Sequence, residues 1–420
     1  MVGARLLVPT LMGEHMIEVT TPRLRERITV GELPSPYVAA DFPPAEFNSR
    51  IDKVREAMSR LRIDALLLAS PENIYYVLGL NYQGYFSFTL VLLPLDGPPI
   101  LVARAMEHAT LSAQVPSCEH VGYEEDDDPA EVVASVIQRS TARSAILGLE
   151  RAAMFFPVGV WERIRELLGE RSWTDASGIV ESVRAVKSGP EIAFIRRAAE
   201  ISDSAVRAGV EAAGTGRTER MVAAAIYHEM VLNGSEHPGF APFIRSTEIL
   251  HHEHVTWRDR SLRQGSGLFM ELSASIYRYH APMTRMVYVG RLPLGVEQAA
   301  HAAIAGLTAI EHTLRPGEVS GDVYAAWSRA VYGELGRRHD RHHCGYMVGI
   351  GFPPSWVGGS RVTGIRRDGK LEIQPGMVFH VQSWILGSHP AEYCVSDTAL
   401  VTEDGCELLT MFEREPIVRL

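Results

Sequence analysis

The stretch Gly267-Leu-Phe-Met-Glu-Leu-Ser-Ala-Ser-Ile-Tyr-Arg-Tyr-His-Ala-Pro-Met-Thr-Arg285 is the most informative in this chain. A single carboxylate, Glu271, interrupts an apolar strand pattern. The two-residue period of a strand puts Phe269, Glu271 and Ser273 on one face, with Leu268, Met270 and Leu272 on the other. A carboxylate in such a strand is disfavoured in its charged form unless an ion pair, a metal or a ligand uses it. The bland alternative is an ion pair with Arg278 or Arg285. Tyr279-His280-Ala281-Pro282 reads as the turn into the next strand.

Upstream of this strand, helical spacing predicts two helices over residues 190–213 and 218–233, and Lys187-Ser188-Gly189-Pro190-Glu191 reads as a helix start. Downstream, a helical pair is expected over 296–336 and strands near 377–385 and 395–402. The first half alternates differently. Ile51, Val54, Met58 and Leu61 recur at helical spacing, and Asp64 to Ala69 reads as a buried strand. The apolar run 86–93 turns at Asp96-Gly97-Pro98-Pro99 into Ile100 to Ala103, an expected antiparallel pair, followed by a helix over 130–139 and a strand over 144–149. Three parts are expected: an irregular arm over 1–43, an α/β domain over 44–182 and a second domain over 183–420.

A chain of 420 residues, 46% hydrophobic and 22% charged, is too long for one ordinary domain. Its formal charge of −10 disfavours nucleic acid as a partner. No apolar run reaches the length of a membrane span and no export signal opens the chain, so no membrane partner is expected. Cys118, Cys344, Cys394 and Cys406 have no paired spacing, which suits reduced thiols and a cytoplasmic setting. The run Glu124-Glu125-Asp126-Asp127-Asp128 reads as a solvated loop.

Histidines supply the other candidate chemistry. In an extended chain His252 and His254 would share a face and could chelate a metal, but only with a further converging ligand. A single histidine working as a general acid or base asks for less. His380 lies in the apolar strand Met377-Val-Phe-His-Val381, where an imidazole must find a hydrogen-bond partner or a ligand. The glycines of Cys344-Gly-Tyr-Met-Val-Gly-Ile-Gly351 do not make a phosphate loop, because the lysine and the strand-to-helix setting are missing.

Taken in order, these segments resemble the pita-bread family of creatinase, prolidase, aminopeptidase P and methionine aminopeptidase. The likeness covers roughly residues 47–413. It rests on the helix start at Lys187, the hairpin through Tyr279-His280 ending in Thr284-Arg285, the Pro375-Gly376-Met377 turn and the closing Val401 to Glu407. The implied fold is an α/β N-terminal domain followed by an α+β pita-bread (creatinase/aminopeptidase-like) catalytic domain, and a homodimer is implied too. The family's peptidases hold two metals with two aspartates, a histidine and two glutamates. At the matching positions stand Glu271, Pro282, Tyr346, Gln382 and Ser396, so one of five ligands remains and no metal or other cofactor is expected.

Phe269-Met270-Glu271, the run Tyr277 to Met283, Cys344-Gly345-Tyr346, Phe352-Pro353-Pro354 and Gly376 to His380 are similar to motifs of ectoine hydrolase, a metal-free branch that opens a cyclic amidine. Ser355-Trp356-Val357-Gly358 and Gln382-Ser383-Trp384 depart from that branch. The likeness implies a metal-independent hydrolase of a small amidine-like C–N bond. Glu271 would act as anionic partner or nucleophile, and His254, matching the family's histidine beside the scissile bond, would move the proton. His280, Tyr279, Tyr346 and His380 would bind the substrate. Alternatives on the same groups are a creatinase-like or amide hydrolase of an acyclic substrate, a lyase or dehydratase, and a catalytically silent binding protein. Tyr82, Tyr85, Phe88 and Arg104 are the N-terminal cleft candidates.

Overall fold

The computed structural model describes residues 42–358, 362–386 and 391–420; the expected N-terminal arm therefore lies, but for its last two residues, outside the described residues. Helix α1 (Pro44–Arg60) leads into strand β1 (Ala65–Leu68), helix α2 (Pro71–Leu78) and the antiparallel strands β2 (Leu90–Pro94) and β3 (Ile100–Arg104). Helix α3 (His108–Gln114), strand β4 (Glu119–Tyr123), helix α4 (Pro129–Ser140), strand β5 (Ile146–Leu149), helix α5 (Val158–Leu168), strand β6 (Ser172–Asp175) and helix α6 (Ile179–Arg184) complete the first layer system. The sheet order is β4-β3-β2-β1-β5-β6. Strand β1 is buried on both faces, Ala65 and Leu67 in one apolar core and Leu66 and Leu68 in the other, which explains its unbroken apolar run. Asp128 of the acidic run caps α4 by accepting from Ala130 N at 2.9 Å.

The second half opens with α7 (Gly189–Ala212), started by a capping box in which Ser188 and Glu191 exchange backbone and side-chain bonds. Helix α8 (Glu219–Leu232) and the short strand β7 (Phe243–Ser246) precede the hairpin β8 (Gly267–Ile276) and β9 (Tyr279–Val289). Then come helices α9 (Val296–Thr313) and α10 (Ser320–Leu335) and the strands β10 (Gly345–Met347), β11 (Val378–Ile385), β12 (Tyr393–Val401), β13 (Cys406–Leu408) and β14 (Ile417–Arg419). The main sheet path is β10-β11-β12-β9-β8-β7, with β13 on β12 and β14 on β9. Helices α7 and α9 cover its outer face, where a Cβ on Gly209 would meet Met270 Sδ at 2.9 Å. The opposite, inner face carries Phe269, Glu271 and Ser273.

The hairpin turn is not where the sequence suggested. Ile276 pairs with Tyr279, so Tyr277 and Arg278 form the two-residue loop, both at positive φ (46° and 65°). Such loops favour glycine and asparagine because a side chain at positive φ is strained. Here Arg278 is anchored instead: its Nε donates to Asn81 Oδ1 at 2.6 Å and its backbone N–H to Glu236 at 2.9 Å. All four cysteines are free thiols. Among the described residues no helix is long and apolar enough to cross a membrane.

Candidate active site

The register of the antiparallel sheet lines up one row of residues: Phe243 opposite Glu271, Glu271 opposite Thr284, Thr284 opposite Ser396, and Ser396 opposite Gln382. Paired residues share a face, so this row crosses the inner face of the sheet. Strand pairing gathers into this one row residues as far apart in the sequence as Phe243 and Ser396, 153 positions.

Glu271 is buried, at 5% exposure, and is poorly satisfied. Gln382 Nε2 approaches its Oε1 at 3.5 Å and His380 Nδ1 lies 4.0 Å away. Burial pushes the carboxyl up to about 7, with Arg245 opposing the rise and Glu253 adding to it. The ion pair that would have made Glu271 structural does not form. Arg285 instead bonds Asp397 at 2.8 Å, and Arg278 is held by Asn81 and the carbonyl of His237.

Beside Glu271 runs a directional chain of hydrogen bonds. Trp356 Nε1, which can only donate, gives its proton to Tyr346 Oη at 3.1 Å. The Tyr346 hydroxyl then donates to His380 Nδ1 at 2.8 Å, and Gln382 Nε2 approaches the same nitrogen at 3.2 Å. His380 Nδ1 is therefore an acceptor, and Nε2–H donates to Ser396 Oγ at 2.6 Å. Burial drives the His380 imidazolium pKa well below its ordinary value, so the ring is neutral with one tautomer set by its neighbours.

His254 sits at the rim, exposed, with φ of 57° and its ring 5.9 Å from that of Phe243. It is thus carried to the strand residue opposite Glu271, on a turn rather than in an extended chain. His252 belongs to the same turn, its N–H donating to Ile249 O at 2.9 Å, so this segment is not the extended chain in which His252 and His254 were expected to share a face.

Two expected substrate ligands are reassigned by their partners. His280 accepts from Gly239 N–H at Nε2 (2.8 Å) and its Nδ1 bonds Arg278 O (2.9 Å), which uses both ring nitrogens on backbone; burial lowers its pKa to about 3. Tyr279 Oη donates to Glu191 at 2.8 Å and receives Arg50 at 3.4 Å, packed against Phe42 and Phe194 between the two halves. Both are packing groups. Of the N-terminal cleft candidates, Tyr85 reaches Phe352 (centroids 5.2 Å), Tyr82 bonds Thr89, Phe88 packs on Phe156 and Arg104 pairs with Glu125.

Sequence reasoning did not single out Arg245 as a site residue. Its signal was of the same kind as that of Glu271: a lone charge in the apolar pattern Phe243-Ile-Arg-Ser246. Arg245 is 2% exposed, its guanidinium lying 4.4 Å over the Phe269 ring, and burial lowers its pKa while Glu271 raises it.

The positions expected to correspond to metal ligands do converge, but their donors do not suit a pair of hard divalent ions. Glu271 is the lone carboxylate, Pro282 has no side-chain donor, and Tyr346, Gln382 and Ser396 are committed to His380. Among the described residues no three His, Cys, Asp or Glu side chains gather into a metal-binding group.

Residues 193–403 match the model of metallopeptidase family M24, and residues 50–186 match the creatinase/prolidase N-terminal domain. Ectoine hydrolase of Halomonas elongata is 27% identical over 409 residues, covering 91% of this chain and 99% of the relative. Xaa-Pro dipeptidase of Pyrococcus horikoshii is 27% identical over 374 residues, 88% of this chain and 99% of the relative. Among solved structures, the prolidase from Thermococcus sibiricus superimposes with a TM-score of 0.79 at 22% identity, over 89% of this chain and 99% of that one.

Proposed function

Because the chain belongs to metallopeptidase family M24 and opens with a creatinase/prolidase N-terminal domain, we propose that it is a hydrolase that has exchanged the family's metal chemistry for that of one carboxylate. The proposed substrate is a small cyclic amidine or a related compound, cleaved at a C–N bond without metal. The observation that carries this reading is Glu271 itself. It is buried, paired with no arginine within salt-bridge range among the described residues, and next to a neutral hydrogen-bond chain where the peptidase ligands would stand. The likeness to ectoine hydrolase over nearly the whole chain supports the same substrate class.

An amidinium is planar and cationic, so it matches a carboxylate that lacks a cation partner. Its positive charge lowers the cost of ionising Glu271 in the site. Two courses then fit the geometry: Glu271 orients the amidinium for attack by water, or its oxygen adds to the amidine carbon and water releases the ester-like adduct. In either course water supplies the oxygen, one C–N bond breaks, and the leaving nitrogen takes a proton to give an amide and an amine. His254 at the rim is the group proposed to move that proton. Tyr346, Gln382 and neutral His380 hold the polar wall beside the reacting carbon in place.

The test is product analysis by mass spectrometry with chelator-treated protein and ectoine, related cyclic amidines, creatine and a proline dipeptide. A water-addition product from an amidine in chelator, lost in Glu271→Gln, is the expected result. Cleavage of the proline dipeptide alone, and only after added manganese or zinc, would overturn it in favour of a peptidase.

A further inference from the structure

Three buried polar atoms on or beside the inner face lack a hydrogen-bond partner among the described residues: Arg245 Nε, Trp384 Nε1 and Thr284 Oγ1. Native proteins leave few such atoms, since each costs about 1–3 kcal/mol when stranded away from water. Three on one sheet face form a set that asks for an acceptor.

Two of them share a support. Arg245 stacks over the Phe269 ring at 4.4 Å, and the Trp384 indole meets the same ring edge-on with centroids 5.9 Å apart. Phe269 precedes Glu271 by two residues on the same face, so this donor pair lies about 7 Å along the strand from the carboxylate's position. Arg245 donates one Nη1 bond to the carbonyl of His252 and forms no ion pair among the described residues. Thr284 is the β9 residue paired with Glu271.

We propose that Arg245 and Trp384 bind the carboxylate of a substrate whose cationic carbon faces Glu271, so that the substrate is a small zwitterion rather than a simple cation. This rests on the reading of Glu271 as the cation-facing group. Guanidinium and indole N–H groups are both donors without acceptor capacity, which selects an anion, and the apolar Phe269 floor favours a compact ring over an extended peptide. Glu271 and Arg245 then stay apart for a reason: each keeps its charge for the opposite end of the ligand.

The probes are ectoine and its decarboxylated ring, methyltetrahydropyrimidine, compared by calorimetry and, where turnover occurs, by KM. Wild-type protein is expected to prefer the carboxylate-bearing ring by roughly tenfold to a hundredfold, the worth of a charge-assisted contact. Arg245→Met should erase that preference while binding the decarboxylated ring as before, which also shows that the variant is folded. Trp384→Phe removes one N–H and keeps the aromatic packing, and should lower the preference several-fold. Full preference retained in both variants, or none in the wild type, overturns the subsite. Ectoine hydrolysed with unchanged KM in both variants would sink the subsite and leave the hydrolase reading standing. Arg245-dependent binding of ectoine without hydrolysis would do the reverse.

Discussion

A raised carboxyl pKa is a statement about stability as well as chemistry. Glu271 titrates near 7 in the folded chain against 4.5 for the free group. Between these values the folded protein holds a proton that the unfolded chain has released, so stability falls as pH rises through that window. The loss is on the order of 3 kcal/mol. Glutamine does not titrate, so the difference in unfolding free energy between Glu271→Gln and wild type should grow in the variant's favour from pH 5 to pH 8. Glu150, also pushed up to about 7 by burial and by Glu181, titrates in both proteins and cancels in the difference. A difference that stays flat with pH would mean that Glu271 is already ionised and paired. If the carboxylate engages a cation, ligand binding at a pH about one unit below the Glu271 pKa should also release close to one proton, and about half a proton at neutral pH, detectable as a buffer-dependent binding enthalpy.

The loop between β10 and β11 behaves as an element in its own right, because two glycines let backbone meet backbone. A Cβ on Gly239 would fall 2.3 Å from Ser355 O and 2.7 Å from Trp356 N; one on Gly351 would fall 2.6 Å from Trp356 Cα. That tight seat is what aims Trp356 at Tyr346 and so orders the chain that ends on His380. Gly239 also supplies the N–H that occupies His280. Gly239→Ala should therefore cost about 1–3 kcal/mol in urea unfolding and depress turnover together. A variant with wild-type stability and wild-type kcat would show that the loop moves aside freely and does not position the site.

At the scale of the whole molecule, Arg50 ties α1 to the catalytic half. It is 2% exposed, bonds Glu46 at 3.1 Å, lies 3.9 Å from Glu191 and covers Phe42 at 4.0 Å. Glu191 is at once the capping residue of α7 and the acceptor for Tyr279. Removing one partner from such a buried network leaves the others uncompensated. Arg50→Ala is expected to destabilise by about 3 kcal/mol. Separate unfolding of the two halves, read by two probes, would accompany it; a single transition with an unchanged midpoint would show that apolar packing alone joins them.

Much of this was legible because periodicity is local. The alternation around Glu271 placed it on the inner face, and the helix pairs 190–213 with 218–233 and 296–336 fell within a few residues of their observed bounds. Cap and turn chemistry at Ser188 to Glu191 was equally local. What a polar group meets across the fold was not. His280 and Tyr279 looked like ligands until Gly239, 41 positions away, and Glu191, 88 positions away, took their hydrogen bonds. Arg245 went unremarked in the sequence, and only the pairing of β7 with β8 set it opposite Phe269, two residues along the strand from Glu271, with no ion pair among the described residues. The sequence by itself determined which strands are buried and that one carried an unexplained carboxylate, because burial pattern is written in neighbouring residues. Only the tertiary structure decided which polar groups are spent on the protein and which remain for a ligand, because that depends on distances between segments far apart in the chain.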